Sequence, residues 1–453
     1  MQLPQPLLTS LNGVKGFDKA TFEAIHNSGE QVTSIRLNPL KPISNTFQPS
    51  TVNSQPIGWC PYGFYLPERP FFTFDPTFHA GAYYVQEASS MFLWQVLQQT
   101  IGNKTQGLKV LDLCAAPGGK STLLASYFKD GLVVSNDVIK SRANILVENI
   151  TKWGYNNVVV TNNDPSHFKI LANYFDVIVV DAPCSGSGLF RKDTNAITEW
   201  SEANVELCNQ RQQRIIADVL PALKQGGLLI YSTCSYSKKE DEDILDWLVA
   251  EQQVDSCQLT VDGTAIIETQ SDKHQAFGYR FYPYLTKGEG FFIAALTKKD
   301  GGAMGNYKEQ QLIKPSKTEE QMVVDFMGFA EGYSYFKQHE GIRLLPQQWW
   351  IDIQILAKHL YIKKAGIEIG TIKGKDVIPH HELAVSILNL PTIATVELSE
   401  IQALQYLRRK DITIEADKGW CAVTHCGLRL GWIKVLPKRI NNYYPQEWRI
   451  LKE

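Results

Sequence analysis

Asp181, Cys184 and Cys234 are of the types that acid–base and nucleophilic chemistry require. Asp181 and Cys184 begin and end the segment Asp-Ala-Pro-Cys, and Cys234 ends the segment Ser-Thr-Cys. Each segment follows a run of apolar residues that predicts a strand. If these two strands are neighbours, as sequential parallel strands usually are, two thiols and a carboxylate share one pocket.

Two cysteines at adjacent strand ends allow three interpretations. A disulfide or redox pair is disfavoured, because eight cysteines without a C-x-x-C pair indicate a reducing compartment. A zinc site needs at least one more Cys or His nearby, and neither segment supplies it. The third is covalent catalysis on a pyrimidine, in which a thiolate adds at carbon-6 of cytosine and a carboxyl group stabilises the adduct. A further base must then remove the carbon-5 proton. Spacing alone does not decide which Cys attacks.

The segment Lys109–Thr122 predicts a strand, a tight turn and a helix that bind a cofactor. Small residues in the turn let a ligand approach the backbone, and the helix start offers free N–H groups. The predicted cofactor contacts in this segment are Cys114, Ala115, Ala116, Pro117, Gly118, Gly119 and Lys120. A free thiol has a pKa of about 8.5, so the attacking Cys needs help, and Lys120 is the candidate cation beside it.

The type of cofactor follows from what the turn lacks. Gly119-Lys120-Ser121 imitates the end of a phosphate-binding P-loop, but Cys114 stands where that motif needs a glycine, and no G-x-G-x-x-G is present. S-adenosylmethionine, which has a ribose and no pyrophosphate, fits better. Asp137, 18 residues after Gly119, is expected to accept hydrogen bonds from the ribose hydroxyls, and Asp164 to face the base.

Strands and helices alternate regularly around these residues. Strand-like runs are Lys109–Leu113, Leu132–Asp137, Asn157–Asn162, Phe175–Ala182, Gly227–Cys234 and Gly290–Leu296. Helical patterns lie between them, which predicts an α/β fold with a doubly wound, mostly parallel, Rossmann-like sheet. Ligands bind such sheets at the carboxyl ends of the strands, where all the residues above fall.

Smaller units are expected on both sides of this core. The predicted division is an N-terminal RNA-binding extension at 1–75, the core at 76–300, a linker and intermediate α/β domain at 301–388, and a small β-barrel at 389–453. Within the core, Gly81–Leu97 predicts one helix, whose polar residues near Gln86 indicate a wall of the site.

Basic residues in the two outer units predict contacts with RNA. Lys418–Gln446 has five basic residues and no acid, and aromatic residues follow closely, which is typical of a nucleic-acid clamp. A solvated face over a core is the alternative. The predicted RNA contacts are Arg36, Lys41, Arg429, Lys434, Lys438 and Arg439.

Composition limits the class of protein without identifying it. The chain has 453 residues with 44% hydrophobic and 20% charged, as in ordinary globular proteins. A net charge of −2 does not exclude an RNA-binding face, because acid elsewhere can balance it. Met1–Thr9 does not read as a signal peptide, and no apolar run has transmembrane length. A cytoplasmic monomer without metal or membrane contact is therefore expected.

Five motifs can be compared with known families: Asp112–Ser121, Asp181–Gly188, Tyr231–Ser237, Arg280–Pro283 and Gly288–Phe292. Together they resemble the RNA 5-methylcytosine methyltransferases of the Nol1/Nop2/Sun (RsmB/RsmF) family. The resemblance implies a class I S-adenosylmethionine-dependent methyltransferase core over about Gly81–Leu296. One departure is Tyr284, which stands where family members commonly have His.

The resemblance also implies roles for individual residues. Cys234 is expected to be the nucleophile and Cys184 to assist release. Asp181 and Lys120, which the residues themselves indicated above, complete the expected catalytic set. The cofactor contacts are expected from Cys114–Lys120, Asp137, Asp164 and Asp181.

Three segments near the C-terminal end are informative: Ile362–Ala384, Gly427–Gly431 and Asn442–Pro445. They are similar to the bacterial RsmF (YebU) type, whose enzymes act on small-subunit ribosomal RNA, and the similarity implies an RNA-binding PUA-like barrel. Small-subunit ribosomal RNA is therefore the expected substrate, and transfer RNA is the alternative. A ribosome-assembly factor that binds RNA and cofactor without catalysis is a rival, although binding alone needs neither Cys184 nor Cys234. An amino-group methyltransferase is disfavoured by the Pro-Cys pair.

Overall fold

The computed structural model describes residues 2–42, 54–303, 305–329 and 331–452. Its N-terminal elements are α1 (Gln5–Ser10), α2 (Lys19–Asn27), β1 (Thr33–Leu37), β2 (Gln55–Ile57), β3 (Cys60–Leu66), α3 (Pro76–His79) and β4 (Tyr83–Val85). The strands form an antiparallel sheet in the order β2-β3-β1-β4. The single helix predicted over Gly81–Leu97 is therefore wrong in its first part, because β4 pairs with β1 and the next α-helix begins only at Leu93.

The central unit contains nine strands and six helices of the described chain. They are α4 (Leu93–Thr100), β5 (Lys109–Asp112), α5 (Gly119–Tyr127), β6 (Leu132–Asn136), α6 (Lys140–Trp153), β7 (Val158–Thr161), β8 (Phe175–Asp181), α7 (Asn195–Glu199), α8 (Glu202–Val219), β9 (Leu223–Thr233), α9 (Glu242–Glu251), β10 (Val254–Ser256), β11 (Ile267–Gln270), β12 (Phe277–Phe281) and β13 (Phe291–Lys298). The strands predicted from the sequence are all present, with bounds shifted by a few residues.

The elements after the core form two further groups. The first comprises α10 (Lys317–Met327), β14 (Tyr333–Gln338), β15 (Gly341–Pro346), α11 (Trp350–His359), β16 (Ile362–Ala365), β17 (Ile367–Lys373), β18 (Asp376–Pro379) and α12 (His381–Ala384). The second comprises β19 (Ala394–Glu397), α13 (Glu400–Leu407), β20 (Gly419–His425), β21 (Leu428–Leu436) and β22 (Arg439–Asn442). They supply the sheets β14-β15-β17-β18 and β19-β20-β21-β22.

The central sheet has the order β11-β12-β13-β9-β8-β5-β6-β7-β16, with β10 paired to β13. Its middle five strands, β9-β8-β5-β6-β7, are parallel. The chain runs outward from β5 through β6 and β7, then returns to the other side of β5 as β8. The topological switch point therefore lies between β5 and β8, where ligands bind in doubly wound sheets.

Apolar residues on both faces explain why these strands are nearly continuous hydrophobic runs. Val110 and Val177 belong to the hydrophobic cluster on one face, and their neighbours Leu111 and Ile178 belong to the cluster on the other. Successive side chains of a strand point to opposite faces, so a sheet covered on both sides buries every position.

The units around the core pack into continuous structure. β16 joins the central sheet by pairing antiparallel with β7. The N-terminal and C-terminal units share one hydrophobic cluster, which contains Ile35 and Leu66 from the first and Leu407 and Leu430 from the last. None of the helices in the described ranges is long and apolar enough to cross a membrane.

Candidate active site

A cavity of about 420 Å³ lies at the carboxyl ends of β5, β8 and β9. Its lining residues are Tyr84, Val85, Gln86, Glu87, Ser90, Cys114, Ala115, Ala116, Pro117, Gly119, Lys120, Asp181, Leu189, Cys234, Glu289, Gly290 and Phe291. The loops after three parallel strands thus meet at the switch point, and the N-terminal unit closes one side. The predicted wall near Gln86 is part of this lining, although it is not helical.

The two cysteines meet at this edge because β8 and β9 are adjacent and parallel. Asp181 lies opposite Ser232 in the register, and the Sγ atoms of Cys184 and Cys234 are 2.9 Å apart. The hydrogen bond with Cys234 and burial raise the pKa of the Cys184 thiol well above its usual range. Cys184 is therefore held as a neutral thiol beside Cys234.

Asp181 is held between the cofactor loop and β9. One oxygen accepts a hydrogen bond from Ser232 Oγ at 2.8 Å, and the other pairs with Lys120 Nζ at 2.8 Å. Lys120 also lies over the Phe291 ring, 5.1 Å from its centroid. The structure thus places Lys120 against the carboxylate, in the cavity that Cys234 also lines.

Glu240 ties the two cysteine loops together from beneath. Its carboxylate accepts hydrogen bonds from Ser185 N at 2.7 Å, Ser185 Oγ at 2.5 Å and Ser235 Oγ at 2.6 Å. Burial raises the pKa of this carboxyl. Glu240 is absent from the residues predicted from sequence, because it lies in the charged run Lys238–Glu242, which resembles a solvated surface.

The cofactor loop is held in a conformation that suits close approach of a ligand. Gly118 precedes α5 and has φ +118°, a backbone conformation that residues other than glycine rarely adopt. Ser121 Oγ donates to Asp112 Oδ2 at 2.6 Å, and both residues are fully buried. A P-loop would present this hydroxyl to a bound metal ion, so its burial excludes the P-loop interpretation.

Asp137 directly follows β6 and Asp164 lies three residues after β7, but neither is among the residues that line the cavity. Asp137 is buried and accepts hydrogen bonds from the backbone N–H groups of Ile139 at 2.9 Å and Ala116 at 3.3 Å. Asp164 accepts hydrogen bonds from Ser166, which lower the pKa of its carboxyl. In this structure Asp137 therefore supports the cofactor loop, and Asp164 caps a short helical turn.

Glu289 is a further acid of the cavity that sequence reasoning missed. Its side chain is 2% exposed, and neither carboxylate oxygen has a hydrogen-bond partner. The nearest cation is Arg191, whose Nη1 is 3.8 Å away. Burial raises the pKa of Glu289 to about 7. Its place in the Gly-Glu-Gly-Phe-Phe motif was the available signal.

Two of the predicted RNA contacts are wrong, because their side chains are buried. Arg36 is fully buried, donates to Gln86 Oε1 at 2.8 Å and Gly119 O at 3.2 Å, and lies over the Trp153 ring. Lys41 is 7% exposed and donates to three backbone carbonyls. Both cations hold the protein together and are not available to RNA.

The C-terminal candidates differ among themselves. Arg429 donates three hydrogen bonds to the carbonyls of Ala384, Ser386 and Leu388, so its guanidinium is occupied within the protein. The prediction that Arg429 binds RNA is therefore wrong for the same reason. Lys434, Lys438 and Arg439 lie on β21 and β22 and the turn between them; the last two are exposed, and Lys434 covers the Trp420 ring.

Tyr284, the departure from the family motif, has a structural partner. Its hydroxyl donates to Gly16 O and accepts from Asp18 N at 3.1 Å. Tyr284 therefore docks the segment between α1 and α2 onto the core.

Three segments of the chain match known protein families. Residues 3–88 match the N-terminal domain of 16S rRNA methyltransferase RsmF, residues 99–297 match 16S rRNA methyltransferase RsmB/F, and residues 393–450 match the methyltransferase RsmF PUA domain. Together with the sheet order, these matches confirm the predicted Rossmann-like core and C-terminal PUA-like domain.

Similarity to solved structures covers about two thirds of the chain. A methyltransferase homologue protein from Pyrococcus horikoshii is 28% identical, with TM-score 0.52, and covers 65% of this chain and 100% of that one. The structure of NSun6 from Pyrococcus horikoshii with SFG has 18% identity and TM-score 0.51, covers 66% and 98%, and shares the fold.

Curated relatives match over nearly the full length. The ribosomal RNA small subunit methyltransferase F of Psychromonas ingrahamii is 32% identical over 443 residues, which covers 91% of this chain and 90% of the relative. The protein of the same name from Aeromonas salmonicida is 31% identical over 439 residues, with the same coverage. This chain belongs to the ribosomal RNA small subunit methyltransferase F family.

Proposed function

We propose that this protein transfers a methyl group from S-adenosylmethionine to carbon-5 of a cytosine in small-subunit ribosomal RNA, through a covalent adduct with Cys234. The observation that carries the proposal is the pair of sulfur atoms, 2.9 Å apart, of which that of Cys234 belongs to a residue lining the cavity with Asp181 and the cofactor loop. The names of the relatives support ribosomal RNA of the small subunit as the substrate class.

The reaction needs a nucleophile because carbon-5 of cytosine is too weakly nucleophilic to take a methyl group unaided. The Cys234 thiolate adds to carbon-6, which forms the S–C6 bond and makes carbon-5 electron-rich. With S-adenosylmethionine bound, carbon-5 would take its methyl group as the sulfur–methyl bond breaks, and S-adenosylhomocysteine would leave. A base removes the carbon-5 proton, the S–C6 bond breaks, and Cys234 leaves as a thiolate. Asp181 faces the N3 and amino edge of the base in this scheme.

Cys184 is the residue that assists release. The largest cause of its raised pKa is the hydrogen bond with Cys234, and the adduct converts that sulfur from a free thiol group to a thioether, which weakens the bond. Formation of the adduct therefore makes Cys184 easier to ionise at the stage when a base is needed. The neutral state of Cys184 before the reaction also favours Cys234 as the attacking thiol.

The residues of the cofactor loop fit S-adenosylmethionine, which supplies a methyl group bound to a sulfonium. Cys114–Lys120 and Asp181 would hold it, with Asp137 and Asp164 as further candidates at neighbouring strand ends. The small side chains of the loop leave the backbone accessible along one wall of the cavity. Lys120 fixes the orientation of Asp181 through their 2.8 Å ion pair. The NSun6 structure is described as being with SFG, an analogue of S-adenosylmethionine, which supports the same class of cofactor.

The test is nucleoside mass spectrometry of small ribosomal subunits and transfer RNA that lack the modification, after incubation with the enzyme and labelled S-adenosylmethionine. We expect labelled 5-methylcytidine in the small-subunit RNA. Label in transfer RNA would retain the chemistry and overturn the substrate. Cofactor and RNA binding without any label would favour a ribosome-assembly factor.

A further inference from the structure

We infer that the seam between the N-terminal and C-terminal units is a docking surface for single-stranded RNA. This seam surface consists of Arg69, Phe71 and Phe74 from the N-terminal unit with Arg408, Lys410 and Lys452 from the C-terminal unit. The inference rests on the proposed function, because it assumes that RNA is the substrate. It locates an RNA contact outside the basic strand residues predicted from the sequence.

The aromatic part of the seam surface is open to solvent. The Phe71 ring is 83% exposed, and its centroid lies 6.3 Å from that of the partly exposed Phe74. An exposed apolar ring alone is common on protein surfaces. Here two rings lie side by side among cations, which is the arrangement on which unpaired bases stack.

The cationic part comes from three separate segments. Six basic residues and no acid lie in the segments Arg69–Phe74, Arg408–Lys410 and Arg449–Lys452, and the acids next to these segments are Glu68, Asp75, Asp411 and Glu453. None of these six cations forms an ion pair with any residue that the structure describes. Arg409 donates to Tyr444 O and Arg408 to Lys452 O. The exposed cations that remain available to phosphate groups include Arg69, Lys410 and Lys452.

Direct contacts join these segments into one surface. The Arg408 guanidinium lies 5.6 Å from the Phe74 ring centroid, and its Nε donates to Lys452 O at 3.3 Å. Cations at the end of α13 also favour the helix dipole, but that effect does not account for Arg69 or Lys452, which lie on other elements.

The seam surface is formed before RNA binds. Phe72, which lies between Phe71 and Phe74 in sequence, is buried in the same hydrophobic cluster as Leu407 and Ile450 of the C-terminal unit. The arrangement of rings and cations is thus fixed by a shared core, so binding does not have to order the two units first.

The test measures binding of the full-length enzyme to naked, unmodified small-subunit ribosomal RNA across a range of salt concentrations. We expect Phe71→Ala to raise the Kd and KM roughly tenfold with an unchanged kcat, because stacking on one base is lost. We expect the triple variant Arg69→Gln, Lys410→Gln, Lys452→Gln to weaken binding and reduce the slope of log affinity against log salt by about 2.

Two sets of controls separate this surface from general charge and folding effects. Lys104→Gln, Lys308→Gln, Lys375→Gln removes three exposed cations elsewhere and is expected to bind RNA like the wild type. Unfolding midpoints of all variants are compared, and Phe71→Ala is expected to match the wild type because its ring is exposed.

Three results would overturn the inference. The first is wild-type affinity and salt slope in the seam variants when the wild type methylates the RNA. The second is a loss of affinity only with Lys438→Gln, Arg439→Gln. The third is weakened binding to assembled subunits with unchanged binding to naked RNA, which would indicate a protein partner. Absence of methylation by the wild type on both naked RNA and assembled small subunits would instead overturn the proposed function.

Discussion

Cys184 and Cys234 have the same side chain and differ in environment. Cys184 is held neutral by burial and by its bond with Cys234. Asp181 is fixed by Ser232 and Lys120 so that it faces the same cavity. At the scale of single residues, the chemistry thus depends on neighbours as much as on side-chain type.

The division of roles between the cysteines predicts distinct variants. Cys234→Ala should abolish methylation with unchanged RNA affinity, because no other residue replaces the nucleophile. Cys184→Ala should accumulate a covalent protein–RNA complex on a denaturing gel, because release is slowed. The double variant is the control and should show no complex. Full activity of Cys234→Ala would contradict the assignment.

The carboxylate of Glu289, which accepts no hydrogen bond, predicts a dependence of stability on pH. Its pKa rises from 4.5 to about 7 on folding, so the folded state binds more protons in that range. The free energy of unfolding should therefore fall between about pH 4.5 and 7, and the Glu289→Gln variant lacks this loss. From pH 5 to 8 we expect the variant to gain about 1–3 kcal/mol relative to the wild type, measured by urea denaturation. A constant difference across this range would refute the prediction.

At the scale of elements, β1 supports the cofactor loop through one side chain. Arg36 extends from this strand to Gln86 beside the cavity, and to Gly119 and Thr122 at the start of α5. Arg36, which the sequence predicts to contact RNA, is instead a buried side chain that links the N-terminal sheet to the cofactor loop through hydrogen bonds.

Removal of the Arg36 guanidinium should affect both stability and cofactor binding. We expect Arg36→Met to lower the free energy of unfolding by about 2–4 kcal/mol, because buried acceptors lose their donor. Affinity for S-adenosylmethionine, measured by calorimetry, should fall several-fold, since Gly119 lines the cavity. Arg211→Met, at an exposed position of α8, is the control, with an expected change within about 0.5 kcal/mol. Equal cofactor affinity in both variants would argue against a role of Arg36 in supporting the cofactor loop.

At the scale of the whole molecule, Lys41 joins three units. Its ammonium donates to Ala80 O at 2.8 Å, Lys152 O at 2.6 Å and Val385 O at 2.6 Å, which belong to the N-terminal unit, α6 and the segment after α12. Two further features connect the units, namely the pairing of β16 with β7 in the central sheet and the hydrophobic cluster shared at the seam. We therefore expect the stability of each unit to depend on the others.

Loss of the Lys41 hydrogen bonds should lower the stability of the whole protein. We expect Lys41→Met to lower the free energy of unfolding by about 3 kcal/mol or more, because three buried carbonyls lose their donor. Differential scanning calorimetry should show a lower melting temperature. Lys104→Met, at an exposed position, should match the wild type within about 0.5 kcal/mol. Equal melting temperatures of the Lys41→Met and Lys104→Met variants would contradict the prediction.

The sequence by itself determined the strands of the core and the position of the site at their ends. Alternation of apolar runs with helical patterns is local information, and sequential parallel strands usually pair, so the residue order alone places Asp181, Cys184 and Cys234 together. The domain bounds at 75, 300 and 388 stay predictions, and so do the catalytic and cofactor-binding roles of the individual residues.

Only the tertiary structure decided which charged residues are accessible. Arg36, Lys41 and Arg429 resemble surface residues in sequence, and Glu240 lies in a run of charges, yet their charged groups are held by distant partners in the fold. Exposure depends on which elements pack against a side chain, and those contacts join residues far apart in the chain. The seam surface has the same origin, because its cations and rings come from opposite ends of the sequence.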